Sequence, residues 1–548
     1  MERGKAVGAP FGSSIAVLCA LVGGTLSVSA QDEAVAEEDA APVQISCADL
    51  AAVPFSGFTI TSTFLGTATE ARPQRCLVKA EIPPEQSETG ESIGRPILFE
   101  ALLPEEWSGR SVHFGFQGYG TEIPALTGAD WQTPNAAEVF PFKAHALYGG
   151  DSGHRADDLP SPEDPASFAS DPGMLADFAE GATAKVHAAA QTLIETRYGT
   201  PAELRYFVGF GDGGRQGLMA AQRRPEDYDG ILAGEPIVDF TGLMLLRERA
   251  AHLFDDPRAY IPPEMLDIVK EEIRVQCDWL DGVSDGVIAD WEGCAPDLAI
   301  IACAESESDR CLTFGQIEAL NALHAPMSTD LTVHAGLPWG TSDWDTRYMG
   351  TPDIPPTARD RVADFRDWFV TPPIAPAPTP EDEVAEDDTD QEIVLVAPSP
   401  APDADARIAE LEQMLDAEDP DLGAFAAAGG HLTVYAGSLS EYPPGEMADL
   451  WRRMVRDLGR ERVDSFVRFY VFPGVTHDRD VPEGMPAAAD LFAALEVWVE
   501  FEGVPEGLVN SSPDGSATAE RPLCPYPLVP RYDGEGPHAE AASFACAE

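Results

Sequence analysis

Twelve residues constrain this chain more than any others: Tyr206-Phe207-Val208-Gly209-Phe210-Gly211-Asp212-Gly213-Gly214-Arg215-Gln216-Gly217. An apolar run enters a glycine cluster and leaves it as helix-forming text. In such a strand–turn–helix unit, a G-x-S-x-G segment lifts a nucleophilic serine on a strained turn above the end of a sheet. Gly209 and Gly213 hold the two outer places, but the middle place is Gly211, which has no side chain. The scaffold for nucleophilic chemistry is present without its nucleophile.

The text around this unit alternates between strand and helix. Leu204 to Phe210 reads as a buried strand and Arg215 to Arg223 as the helix it feeds. Met174 to Arg197 has helical spacing and stops before Gly199. Cys47 to Leu103 is strand-like, and sheet text returns at Leu432–Tyr435 and Phe466–Val471 before a closing helix near Ala487–Glu500. This alternation implies an α/β fold with a mainly parallel sheet. From Thr241 to Arg407 the texture changes, with four cysteines, acidic turns and few strands. That region reads as an insertion between two halves of one domain. Within it, residues 375–406 are Pro/Ala-rich and acidic with no Lys or Arg, which predicts a disordered loop. The organisation read from the sequence is a signal at 1–30, a disordered acidic leader at 31–45, a first domain part at 46–240, a lid at 241–406 and a second domain part at 407–548.

The N-terminus has Arg3 and Lys5, an apolar run from Ile15 to Val28, and small residues to Ala30. This is the pattern of a cleavable export signal, which predicts a secreted or periplasmic protein. Removing Cys19 with the signal leaves Cys47, Cys76, Cys277, Cys294, Cys303, Cys311, Cys524 and Cys546. An even count in an exported chain favours disulfides, and the clustering predicts four local bridges. Ninety-four acids face 35 Lys plus Arg, a net charge of −59. A chain this acidic repels polyanions and anionic membrane surfaces, so neither nucleic acid nor membrane is an expected partner.

Several further blocks accompany the glycine unit in a fixed order. They are Pro225-Glu226-Asp227-Tyr228-Asp229-Gly230, Cys277-Asp278 to Ile288, Cys311-Leu312-Thr313, Asp419-Pro420-Asp421-Leu422 with Gly429-Gly430, Phe472-Pro473-Gly474 to His477, and Arg521 to Pro527. With these blocks the chain resembles the tannase/feruloyl esterase family over nearly all of its mature length. The resemblance implies an α/β-hydrolase fold with a large inserted lid, and carboxylic ester hydrolysis by a serine, histidine and carboxylate triad.

Carried onto this sequence, the resemblance puts the histidine at His477, the acid at Ser440 and the nucleophile at Gly211. Two of the three triad members are therefore missing. Glu441 and Asp212 each stand one residue out of register as substitutes. The family also joins the residue before the serine to the residue after the histidine by a disulfide; here those positions are Phe210 and Asp478. The loop Gly115 to Gly120 occupies the place of the oxyanion loop, with the N–H groups of Gly118 and Asp212 as donors. His154, in Asp151-Ser152-Gly153-His154, reads as structural.

The lid segment from Cys277 to Val287 carries three carboxylates and two glycines. Hard cations of calcium's size take oxygen ligands from carboxylates and carbonyls. Asp278, Asp281 and Asp285, with the carbonyls of Val283 and Val287, form the expected calcium set, and Cys277 and Cys294 are expected to pair beside it. The role is structural. The expectation for function is an exported family member with a lost serine mechanism and a pocket for an aromatic ester or aromatic acid. The alternative is an active ester hydrolase that uses His477 with Asp212 or water.

Overall fold

The computed structural model describes residues 44–548 apart from 68–73, 88, 91, 127–142, 255, 257, 305–309, 329–332, 341–362, 373–402, 478–480, 482–483 and 513–516. The export signal, most of the leader and most of the acidic loop lie outside the described residues.

Nine strands build the central sheet: β1 (Thr59–Leu65), β2 (Arg75–Ile82), β3 (Ile97–Pro104), β4 (Arg110–Phe114), β5 (Ala146–Gly150), β6 (Leu204–Phe210), β7 (Gly230–Gly234), β8 (His431–Leu439) and β9 (Val467–Thr476). Their spatial order is β1-β2-β3-β5-β4-β6-β7-β8-β9. The first three pairings are antiparallel and every pairing from β5/β4 onward is parallel. The sheet is thus mainly parallel, as the alternating text requires. β7 is buried along its whole length, because helices cover both faces of a parallel sheet.

Alternate residues of one strand serve two cores. Phe207 packs with Met219, Ile231, Val434 and Met447, while Tyr206 and Val208 pack with Leu232, Tyr435 and Leu495. The first face is covered by α2 (Asp212–Arg223) and α7 (Pro444–Leu458), the second by α8 (Leu491–Phe501). Helix α1 (Ala182–Tyr198) ends where Gly199 turns left-handed, at the boundary its sequence predicts.

Between β7 and β8 the chain runs through α3 (Phe240–Phe254), α4 (Pro263–Cys277), α5 (Phe314–His324) and α6 (Ala404–Leu415). Leu246, Phe254, Val269, Ile273, Leu320 and Leu337 give this insertion its own apolar core. The predicted disordered loop overlaps α6 by three residues. Asp403 caps that helix by accepting from Asp405 N–H, and its buried face at Leu411 and Leu415 orders the chain there. The last residues of the predicted leader are also fixed, since Ile45 N–H donates to Arg197 O.

All eight cysteines outside the signal are paired: Cys47–Cys76, Cys277–Cys294, Cys303–Cys311 and Cys524–Cys546. Each bridge closes a short stretch of chain, so the four local links read from clustering are the ones formed. None of the described helices is long and apolar enough to cross a membrane.

Strand register positions the site. Phe210 lies opposite Gly234, and Gly234 opposite Tyr435. Gly211 and Glu235, which follow β6 and β7, therefore stand at the level of Ala436 within β8. An irregularity in the β8/β9 pairing brings Leu439 opposite Thr476, so Ser440 and His477 leave the sheet side by side.

Candidate active site at the ends of the central strands

The turn after β6 has the geometry of a nucleophile elbow. Gly211 adopts φ 59°, ψ −114°, a region that L side chains rarely enter. Its N–H donates to Gly234 O at 3.0 Å, and its carbonyl accepts from Arg215 and Ile237 N–H. Helix and strand cross so closely that a Cβ on Gly209 would meet Gly213 O at 2.1 Å. A Cβ on Gly211 would meet only Tyr442 Cε2, at 3.5 Å. The turn has room for a side chain and carries none.

Asp212, one residue past Gly211, opens α2. Its Oδ1 accepts from Arg215 Nε at 3.2 Å, and Arg215 is fully buried. The guanidinium also donates to the carbonyls of Phe178, Ala179 and Leu415. The Asp212 carboxylate is thus the counter-ion of a fixed arginine.

His477 follows β9. Its ring stacks on Phe210, with centroids 5.0 Å apart and planes at 28°, and meets Tyr442 edge-on at 4.5 Å. The elbow and the histidine are tied by ring contact at Phe210. Asp478 lies outside the described residues.

Ser440 is buried, accepts from Tyr442 N–H at 3.1 Å, and closes a turn through its own N–H to Gly437 O. It organises the chain but supplies no charge. Glu441 does not stand in for it, because its Oε2 pairs with Arg247 at 3.3 Å.

Among the described residues, the carboxylate that faces His477 is Glu235, which sequence reasoning missed. It follows β7, is 4% exposed, and adopts φ 44°. Its N–H donates to Tyr435 O at 2.7 Å, and its Oε1 accepts from Gly437 N–H at 2.5 Å. Its Oε2 lies 4.0 Å from His477 Nδ1. Both atoms are shielded from solvent and neither has a hydrogen-bond partner among the described residues. The sequence did carry a signal, an acidic residue at the carboxyl end of a buried parallel strand, where ligand sites of α/β sheets form.

The glycine loop Gly115–Gly120 packs on the elbow. A Cβ on Gly115 would meet Gly213 Cα at 2.8 Å, and Gln216 Nε2 donates to Phe116 O at 3.2 Å. Gly118 has φ 55° and is exposed with Gln117, and Gly120 N–H closes the turn onto Gln117 O. His154 stacks on Phe168 at 4.1 Å and contacts Ser152 Oγ at 3.1 Å. Burial pushes its imidazole down to about 4, so it stays neutral and structural.

In the lid, Asp278 Oδ1 accepts from the N–H groups of Asp285 and Gly286, Asp281 from Val283 N–H, and Asp285 from Val287 N–H. Arg274 pairs with Asp278 and Arg521 with Asp285. Among the described residues no arginine forms an ion pair with Asp281, and burial, helped by the charges of Asp285 and Asp278, pushes its carboxyl up to about 7. The donor set is hard and anionic, which fits calcium in kind, although two arginines already neutralise two of the carboxylates. Among the described residues, the one trio of acidic or imidazole ligand atoms lying within 4.8 Å of one another is elsewhere: Asp239, His334 and Glu446. That trio joins His334 of the insertion to the residue before α3 and to the first turn of α7.

A mainly parallel sheet with an elbow after β6, a histidine after β9 and a long insertion after β7 defines an α/β-hydrolase. The sequence profile described as "Tannase and feruloyl esterase" matches residues 84–547, and the chain belongs to that family. An uncharacterized esterase of Agrobacterium fabrum is 30% identical over 526 residues, with 90% of each chain covered. The mono(2-hydroxyethyl) terephthalate hydrolase of Piscinibacter sakaiensis is 26% identical over 522 residues, covering 87% of this chain and 85% of the relative. The crystal structure of feruloyl esterase B from Aspergillus oryzae superposes with a TM-score of 0.73 at 21% identity, covering 91% of this chain and 99% of that one. The likeness to that structure carries the fold alone.

Proposed function

We propose that this protein is an exported, ester-directed member of the tannase and feruloyl esterase family that does not work through an acyl-enzyme. The observation that carries the proposal is Gly211 at the apex of the elbow, where covalent catalysis needs a hydroxyl. Losing a serine nucleophile typically costs on the order of a million-fold in rate. What remains at the carboxyl ends of the strands is a cluster of rings, His477 stacked on Phe210 and met edge-on by Tyr442. Aromatic rings suit a flat acyl group, and relatives named as feruloyl and terephthalate ester hydrolases support an aromatic ester or acid as ligand. Export is supported by the N-terminal signal pattern and four disulfides. Calcium, held by Asp278, Asp281 and Asp285 with the carbonyls of Val283 and Val287, would fasten the lid and supply no step of the chemistry.

The test uses the purified protein with a serine-directed aryl phosphonate and, separately, with benzoate as an aromatic acid probe. No covalent adduct, together with saturable benzoate binding in calorimetry, is the expected result. An adduct on any residue would end the non-covalent reading.

A further inference from the structure

We propose that Glu235 has taken over the carboxylate role missing at Ser440, and that with His477 it forms a dyad that activates water for direct ester hydrolysis above Gly211. The proposal rests on the reading that this site receives an ester.

The first argument is the facing of two atoms. Glu235 Oε2 and His477 Nδ1 are 4.0 Å apart, both buried, and neither has another hydrogen-bond partner among the described residues. Buried polar atoms left unpaired are costly, and each is the nearest remedy for the other. Catalytic hydrogen bonds are often long in the free enzyme and tighten when ligand arrives. The second argument is division of labour within the carboxylate. Oε1 clamps β7 to β8 through Gly437 N–H, which a neutral amide could do equally well. Oε2 takes no part in that clamp. The third is backbone conformation. Glu235 sits at φ 44°, strained for a residue with a Cβ, and such strain concentrates where a side chain must be aimed. The fourth is the fate of the competing acids: Asp212 is bound to Arg215 and Glu441 to Arg247.

A carboxylate on Nδ1 fixes the tautomer in which that nitrogen carries the proton and Nε2 is the base. Phe210 and Tyr442 hold the ring plane. Gly211 leaves space at the turn, since an added Cβ there meets only Tyr442. In the reaction, Nε2 takes a proton from water as the water oxygen bonds to the acyl carbon, and the carbonyl electron pair moves to oxygen. The pair then returns, the ester C–O bond breaks, and the leaving alkoxide takes the proton from Nε2. One water is consumed, one acid and one alcohol form, and no bond joins protein to acyl group. His477 is the catalytic base and Glu235 the positioning residue.

The experiment measures hydrolysis of 4-nitrophenyl benzoate by the full chain, His477→Ala and Glu235→Gln. Gln keeps an acceptor for Gly437 N–H, and thermal melting checks that each variant folds. The expected wild-type rate exceeds that of His477→Ala by about 100-fold, the lower range for general-base catalysis. Glu235→Gln should lower kcat at least about tenfold with KM nearly unchanged, a part of the roughly 100-fold that the base itself supplies. In ¹⁸O-water one label should enter the benzoate. A downfield Nδ1–H resonance present in the wild type and absent in Glu235→Gln separates orientation from a merely structural clamp. A wild-type rate equal to that of His477→Ala overturns the dyad, as does a Glu235→Gln variant with unchanged kcat and resonance. Benzoate binding, measured separately, tells whether the ester-directed reading has fallen with it.

Discussion

The ring of Phe210 lies against the imidazole of His477, centroids 5.0 Å apart and planes 28° from parallel. This contact joins the residue before the elbow to the end of β9, two points far apart in sequence. Offset stacking of this kind adds about 0.5–1.5 kcal/mol beyond the burial of the ring. Phe210→Ala should therefore lower stability by about 3–5 kcal/mol, most of it from the buried ring. Denaturant unfolding would measure it, and a loss below about 1 kcal/mol would mean that the ring is not a structural tie.

Adding the missing hydroxyl tests the site from the opposite side. Gly211→Ser places a Cβ at φ 59°, which costs about 1–3 kcal/mol of strain but meets only Tyr442 at 3.5 Å. The variant should melt a few degrees lower and react with an aryl phosphonate. Adding Glu235→Gln should slow labelling at least about tenfold, a part of the roughly 100-fold that a general base supplies, if that carboxylate orients His477. Labelling that requires Ser440→Asp as well would show that Glu235 does not serve.

Chelation addresses the lid. Asp278, Asp281 and Asp285 crowd one short segment beside the Cys277–Cys294 bridge. Removing calcium with EGTA should lower the melting temperature, and adding calcium back should restore it. In Asp281→Asn the difference between the two conditions should shrink. An EGTA melt identical to the calcium melt would remove the metal from the account.

A pH signature belongs to Asp151. Burial pushes its carboxyl up to about 6, against the bonds it accepts from Gly153 and Leu98 N–H and the nearby Arg155. The folded protein then holds this proton where the unfolded chain has lost it. Between about pH 4 and 6 the group's contribution to stability falls as pH rises. Neutral His154 acts in the opposite sense over the same range, so the wild-type curve alone mixes the two. The difference between wild type and Asp151→Asn isolates the carboxyl. The variant should gain stability relative to wild type as pH rises from 4 to 7. A difference independent of pH would contradict the assignment.

Much of this fold was legible in the chain. The run from Leu204 to Phe210, the glycine cluster and the helix after it are local features, set by hydrophobic period and by residues without a Cβ. The same is true of the insertion, whose composition departs from its flanks, and of the cysteine pairs, whose partners lie near in sequence. The empty nucleophile position was visible for the same reason, since Gly211 is flanked by its own markers. What the chain could not reveal was the partner of His477. The sequence offers Glu441 and Asp212 as near neighbours of the expected positions, and tertiary contacts assign both to arginines. Glu235 lies over two hundred positions from His477 and one strand away from the expected acid. It reaches the histidine because strand register lifts Gly211, Glu235 and Ala436 to one level and a β8/β9 irregularity turns His477 toward them. Local sequence fixes which residues can be strand, turn or helix. Which carboxylate meets which imidazole depends on how strands align, and that is decided only when the whole sheet is assembled.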